Sequence, residues 1–260
     1  MPTDRQLRDT VTRRAFTRHV AGAVVGGTIA WNVPRPRIDA VLFDAFAVFD
    51  PWTVAALAEQ LFPGRGAELM SAWRTKQFQY AWLRVVARSY ADFWRCTEDA
   101  LRHAASALRL DLTSARRDRL MQAHLSLRPW PEVPTALRTL REARVRLGIL
   151  SNFTSPMLAA SIKSSGLHGV FERVLSTDQL STYKPDPHAY ALGAREFGLP
   201  RERIGFAAFA GWDAAGAKLY GYPTLWVNRL GAPADELGAP PPDAIVRTLT
   251  ELAAYVRASH

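Results

Sequence analysis

Four stretches of the chain put chemically competent side chains where an apolar run ends. Residues 38–43 run into Asp44, and residues 145–150 run into Ser151-Asn152. Residues 204–209 are followed by Gly211-Trp212-Asp213, and Thr182-Tyr183-Lys184-Pro185-Asp186 leads into a helical stretch. In an open parallel sheet, ligands bind beyond the carboxyl ends of the strands. If each run is a strand, a carboxylate, a hydroxyl, an amine and a second carboxylate share one rim. Those are the groups that nucleophilic and acid–base chemistry on a small molecule requires. Each position also has an ordinary structural reading. Asp44 could end a strand in a turn, Ser151-Asn152 suits any strand-to-helix turn, Asp213 is a good helix cap, and Lys184 could be solvated.

The elements that must position these groups follow from periodicity. Further apolar runs occur at 173–176 and 224–227, and helical stretches near 132–143, 155–166, 186–198 and 213–221 separate the runs. Strand and helix in alternation predict a parallel α/β sheet covered on both faces. Ser155-Pro156 and Pro185-Asp186-Pro187 mark helix starts, with Pro in the first turn. Residues 52–128 break the alternation: they hold no convincing strand and place Leu69, Trp73, Tyr80 and Arg84 at helical spacing. The expected organisation is a core of 38–51 and 130–260 with a helical lobe, 52–129, inserted after the first strand.

The chain has 260 residues and a net charge of +9. Five of those charges fall in residues 1–37, where seven Arg face two Asp, which leaves only +4 for the rest. That surface is mildly basic, suits small anions, and gives no reason to expect nucleic acid as a partner. Thr12-Arg13-Arg14-Ala15-Phe16-Thr17-Arg18 precedes a short apolar run from Val20 to Ala30, an arrangement that resembles a twin-arginine export signal. The run is about 11 residues, too short for a bilayer that needs roughly 20. Residues 1–37 are therefore expected to be an export signal and linker, with a periplasmic or exported product and no stable membrane insertion. A disordered basic tail is the alternative. Cys96 is the single cysteine, so no internal disulfide can form, and a buried inert thiol is expected. The six His show no metal-ligand spacing.

The motifs taken together resemble the haloacid dehalogenase superfamily, and within it the type II (L-2-haloacid) dehalogenases, over roughly residues 38–255. The resemblance is carried by Phe43-Asp44, Phe62-Pro63-Gly64-Arg65-Gly66, Trp73-Arg74-Thr75-Lys76-Gln77 and Tyr80-Ala81-Trp82-Leu83-Arg84. Tyr90-Ala91-Asp92-Phe93-Trp94, Thr97-Glu98-Asp99-Ala100-Leu101, Leu150-Ser151-Asn152, Tyr183-Lys184-Pro185-Asp186 and Trp212-Asp213-Ala214-Ala215-Gly216-Ala217 add to it. It implies a Rossmann-like parallel sheet with an inserted helical cap, and hydrolysis of short 2-haloacids to 2-hydroxy acids through an ester on Asp44. On that likeness Lys184 keeps Asp44 ionised, Ser151 and Asn152 bind a carboxylate, and Asp213 handles the hydrolytic water. Arg74 meets the departing halide, Phe46, Phe78, Phe93 and Trp212 wall an apolar pocket, and Tyr190 supports Lys184 or Asp213. A homodimer through the helical lobe is also implied.

Related phosphatases place a second Asp two residues after the nucleophile and an acidic pair in the last motif to hold magnesium. Here Phe46 and a lone Asp213 stand instead, and a hard cation wants more oxygen ligands. No metal and no cofactor are expected. The chain also departs from the dehalogenases: it lacks the threonine that usually follows the nucleophile, and Ala208 and Ala210 fall in the stretch where a serine and an asparagine are usual. A hydrolase of another small acid ester or phosphate, or a non-catalytic small-acid binder, therefore stays open as an alternative.

Overall fold

The computed structural model describes residues 36–259. The expected export signal, residues 1–37, lies almost wholly outside them.

The chain runs β1 (Ala40–Phe43), α1 (Ala45–Val48), β2 (Phe49–Asp50), α2 (Trp52–Leu61), α3 (Gly66–Val86), α4 (Phe93–Ala107), α5 (Ser114–Ala123), β3 (Arg128–Pro129) and α6 (Val133–Glu142). It continues as β4 (Arg146–Ser151), α7 (Ser155–Ser164), β5 (Arg173–Ser176), α8 (Pro187–Phe197), β6 (Ile204–Ala208), α9 (Gly211–Tyr220), β7 (Thr224–Val227), β8 (Ala244–Val246) and α10 (Leu249–Arg257). Six strands form one parallel sheet in the order β5-β4-β1-β6-β7-β8. This is the expected α/β architecture. From β1 the chain builds outward through β4 and β5, then returns to the opposite side of β1 with β6. The strand order therefore reverses at β1, which opens a crevice at its carboxyl end.

Alternation explains why β1 is central. Val41 and Phe43 enter the apolar cluster on one face, and Ala40 and Leu42 enter the cluster on the other, all fully buried. Side chains of period two that are apolar on both faces suit only a strand covered by helices on each side. Local chemistry starts the helices: Asp92, Thr113, Thr154 and Thr248 each accept a hydrogen bond from a backbone N–H of the first turn. Asp186 caps α8, with Pro187 at its first position. Gly198 and Gly221 close α8 and α9 in the left-handed region, where a side chain would be strained.

Several boundaries differ from the expectation. Residues 128–129, placed in the helical lobe, form strand β3, which pairs antiparallel with β2 at Phe49↔Pro129 and Asp50↔Arg128. This ribbon ties the two chain crossings of the lobe together. The one-turn helix α1, the edge strand β8 and the helix α10 were not anticipated. Both α1 and β8 are too short for periodicity to register.

Between the crossings stand four helices, α2–α5. Trp73 Nε1 of α3 donates to the Thr97 carbonyl of α4 (2.8 Å), and Gln77 Nε2 donates to Thr97 Oγ1 (2.6 Å). Trp82 Nε1 reaches the Lys184 carbonyl (3.0 Å) and the Tyr90 hydroxyl donates to Asp178 (2.6 Å), so the helical segment is bonded to the sheet segment. Cys96 is free and buried in α4.

His124, at the end of α5, is buried, and burial pushes its pKa down to about 4 despite a contact of 3.2 Å with the Leu120 carbonyl. An unfolded histidine takes up its proton near 6.5. Between pH 6.5 and 4 the unfolded chain thus binds more protons at this site, so its contribution is full above 6.5 and is lost as the pH falls. The stability of the parent relative to a His124→Phe variant is expected to grow by about 3 kcal/mol from pH 4 to pH 6.5. Urea denaturation of both proteins across that range measures it, and a constant difference would refute it.

Candidate active site

The crevice at the carboxyl end of β1 holds three charged groups in a row. Asp44 follows β1, and its backbone N–H continues the ladder to the Ala207 carbonyl of β6 (3.0 Å). Its side chain caps α1: Oδ2 accepts from the Phe46 N–H at 3.0 Å while Oδ1 accepts from Lys184 Nζ at 2.8 Å. Two donors at opposite oxygens fix the plane of the carboxylate. Lys184 Nζ also donates to Asp213 Oδ2 at 2.7 Å, and the Tyr190 hydroxyl donates to Asp213 Oδ1 at 2.7 Å. The capping role that Asp44 could play and the chemical one coexist. Asp213, by contrast, does not cap α9; Ala210 stands at the N-cap.

Burial sets the electrostatics. Lys184 is completely inaccessible and Asp213 is 1% exposed, whereas the Asp44 side chain keeps 13% exposure. Burial penalises the Lys184 ammonium, yet Asp213 and Asp44 on either side hold its pKa above the ordinary lysine range. Burial pushes Asp213 up to about 6, with Asp44 adding to the rise while Lys184 and the Tyr190 hydroxyl oppose it. One ammonium shared between two carboxylates cannot fully neutralise both, and the fully buried carboxylate bears the excess. Burial and the adjacent Asp213 raise the Tyr190 phenol well above its usual range, so it remains a neutral donor.

A tight pocket opens onto this row. Its wall includes nine of the residues expected at the site: Asp44, Phe46, Arg74, Phe78, Phe93, Ser151, Asn152, Trp212 and Asp213. Lys184 and Tyr190 are not among them. Tyr190, grouped with the substrate-binding residues but expected to support Lys184 or Asp213, lies fully buried behind Asp213 in the cluster on the far face of the sheet, with its hydroxyl on Asp213 and out of a substrate's reach. It can only position. Three wall residues were missed: Phe153, Phe209 and Ala210. Each adjoins an anticipated position at a strand end, and that adjacency was the available signal.

Two donors are free in the pocket. Ser151 Oγ accepts from the Phe153 N–H (3.1 Å), which leaves its hydroxyl proton to give. Asn152 Oδ1 accepts from the Lys184 N–H (2.9 Å) and from Thr177 Oγ1 (3.3 Å), which fixes the amide. Its buried Nδ2 has no protein partner. A buried donor left unpaired costs about 1–3 kcal/mol, so this group is poised for an acceptor. Arg74 has no carboxylate partner among the described residues. Its guanidinium lies 5.2, 5.8 and 5.5 Å from the ring centres of Phe46, Phe78 and Phe209. Burial lowers its pKa and Asp44 opposes that, but an arginine stays charged. Among the described residues no three His, Cys, Asp or Glu converge as a metal cage. The Lys184 ammonium sits between Asp44 Oδ1 and Asp213 Oδ2.

A carboxylate at the switch point of a parallel sheet, backed by a lysine and a second aspartate, fits a hydrolase built on an α/β sheet. The chain belongs to the haloacid dehalogenase-like hydrolase family, whose model matches residues 38–220. It is 40% identical over 206 residues to the haloacetate dehalogenase H-2 of Moraxella sp. (strain B), covering 79% of this chain and 92% of that one. Among solved structures it resembles an L-2-haloacid dehalogenase (43% identity, TM-score 0.83, 85% of this chain and 99% of the other). It also resembles the L-2-haloacid dehalogenase of Xanthobacter autotrophicus with chloropropionic acid covalently bound (33% identity, TM-score 0.78, 85% and 98%).

Removing one partner of a buried ion pair strands the other charge and costs roughly 3–5 kcal/mol. Lys184→Met is expected to lose stability on that scale at pH 7, and adding Asp213→Asn is expected to recover part of it. Denaturant unfolding of the single and double variants measures both. A double variant no more stable than Lys184→Met would contradict the shared-ammonium arrangement.

Proposed function

We propose that this protein hydrolyses short 2-haloacids, replacing halide by hydroxyl through an ester on Asp44, without a metal. The observation that carries the reading is the Asp44–Lys184–Asp213 row facing a pocket with two free donors and an unpaired arginine. The relatives act on the same chemical class, as their names state.

The substrate carboxylate accepts from the Ser151 hydroxyl and Asn152 Nδ2, which directs C2 toward Asp44. An Asp44 oxygen attacks C2 in line with the carbon–halogen bond, and halide leaves with the bonding pair toward Arg74. A carboxylate is a weak nucleophile in water, and holding it partly desolvated and oriented supplies much of the rate. In the second step water adds to the Asp44 ester carbonyl and gives its proton to Asp213. Whichever Asp44 oxygen is esterified, the other keeps its donor, Lys184 Nζ or the Phe46 N–H, to stabilise the developing oxyanion. Cleavage expels the alkoxide of the 2-hydroxy acid, which takes the proton held by Asp213, and the carboxyl formed on Asp44 loses its proton to solvent, which restores the carboxylate. A halide leaving group needs neither a general acid nor a Lewis acid, and an ammonium already bridges the two carboxylates.

In this reading α2–α5 serve as the cap that delivers Arg74, Phe78 and Phe93 over the sheet. Pairing of two copies through those helices is part of the proposal, tested by sedimentation of the purified protein. So is export by the twin-arginine route, which rests on Arg13-Arg14 and the apolar run after them. Among the described residues no helix is long and apolar enough to cross a membrane. Substituting Arg13-Arg14 by Lys-Lys is expected to retain the product in the cytoplasm.

Halide release from 2-chloropropionate in excess chelator is expected, falling to background in Asp44→Asn. In oxygen-18 water, mass spectrometry after a single turnover is expected to find label in Asp44 before the product. Equal release by the variant, or turnover of phosphate esters only when magnesium is added, would overturn the reading. Burial and the Asp44 charge raise Asp213 to about 6 in the free enzyme, and esterification removes the Asp44 contribution, so ester hydrolysis is expected to slow only at a pH below 6, with the Asp44 adduct accumulating toward pH 4 relative to pH 8. An adduct level independent of pH would remove Asp213 from the proton-accepting role.

A further inference from the structure

The catalytic pocket shares a wall with a larger apolar groove. Trp212, which lines the pocket, also lines a space of ≈ 460 Å³ bounded by Trp82, Val85 and Val86 of α3, by Pro185, and by Leu237 from the irregular segment between β7 and β8. Nothing in the reaction described above uses this groove. Its apolar lips are left in water: Val86 is 82% exposed and Leu237 is 50% exposed. Its floor, in contrast, is fixed. Trp82 is held by its indole hydrogen bond to the Lys184 carbonyl, and it meets Trp212 edge to face at 5.3 Å. Phe78, inside the catalytic pocket, contacts both indoles, at 5.7 and 5.3 Å.

The Leu237 segment is anchored next to the same tryptophan. A Cβ on Gly211, the first residue of α9, would stand 2.5 Å from Asp235 Oδ2, so that carboxylate lies against the positive end of the helix carrying Trp212 and Asp213. Among the described residues, the only charged side chains lining the groove are Asp186 and Asp235, both acidic.

We propose that this groove is an acyl-chain subsite, taking the alkyl tail of a 2-haloacid whose carboxylate and C2 occupy the Asp44 pocket. The proposal rests on the dehalogenase reading. Trp212 is the partition that the tail must pass, and the groove's apolar wall and acidic rim select unbranched monocarboxylic tails over those ending in a second carboxylate. Burial of each methylene is worth up to roughly a fourfold gain in affinity.

The test is kcat/KM across 2-bromopropionate, 2-bromobutanoate, 2-bromohexanoate and 2-bromooctanoate for the parent and for Leu237→Asp and Val86→Asp. The parent is expected to gain roughly two- to fourfold per added methylene, mostly through KM, with 2-bromosuccinate disfavoured. Both variants are expected to keep their activity on 2-bromopropionate and to flatten the series. A parent series that is flat or falling, or variants that lower every substrate alike, would overturn the subsite. So would a Leu237→Asp variant that dissociates a dimer while leaving the chain-length series intact, since the groove would then be a contact between copies. If no 2-haloacid is turned over, the dehalogenase reading fails and the subsite is judged by tryptophan-fluorescence titration with octanoate and acetate. Octanoate binding that is tighter than acetate and weakened in Leu237→Asp supports it; equal binding sinks it.

Discussion

The Lys184 ammonium, out of reach of water and shared by two aspartates, is the constraint around which the rest is arranged. A charge in that position is tolerable only if counter-charges and hydrogen bonds replace its hydration. Asp44 Oδ1 at 2.8 Å and Asp213 Oδ2 at 2.7 Å do so. These partners come from three separate connections of the sheet: the end of β1, the segment before α8, and the first turn of α9. The ion pairs thus require the crevice, and the crevice is where chemistry can be done. Stability and reactivity draw on the same contacts here.

The row is also asymmetric. Asp44 retains some solvent access and two donors, which suits a group that must be ionised and open to a substrate. Asp213 is sealed, raised to about 6, and steadied by the Tyr190 hydroxyl. Under the proposed mechanism these different surroundings suit the two carboxylates to different tasks, one to attack and one to accept a proton. Tyr190 does this from the far face of the sheet, where its ring packs against Phe206 and Tyr222. The apolar core on that face therefore reaches into the site through one phenol.

On the pocket side, aromatic rings stand where polar groups were expected. The alanines at 208 and 210 offer no side-chain donor, and Phe46, Phe78 and Phe209 surround the Arg74 guanidinium instead. The Arg74 guanidinium is thus held by ring faces, with no carboxylate partner among the described residues. The donors that remain, Ser151 and Asn152, lie on the β4 side of the nucleophile.

Read alone, the sequence determined the alternation of strands and helices, the aspartate at the tip of β1, and most of the side chains on the rim. Those features are local: apolar runs of a few residues, Pro and Asp at helix starts, and polar residues immediately after strands. What lay outside its reach depended on contacts between distant segments. Lys184 and Asp44 are separated by 140 positions and Lys184 and Asp213 by 29; the family resemblance paired the first two, but that one ammonium is shared by both aspartates follows from how the segment before α8 packs at the ends of β1 and β6. Which face Tyr190 presents, that Phe153 and Phe209 close the pocket, and that Trp212 serves two cavities are likewise consequences of packing. The ribbon of β2 and β3 pairs residues some eighty positions apart, which no local pattern announces. The helix α10 is a different case, because Thr248 followed by Glu251 is a legible capping signal that was overlooked. Side-chain types are written in the chain, but the dielectric and the neighbours that give them pKa values and roles exist only once the sheet has closed over them.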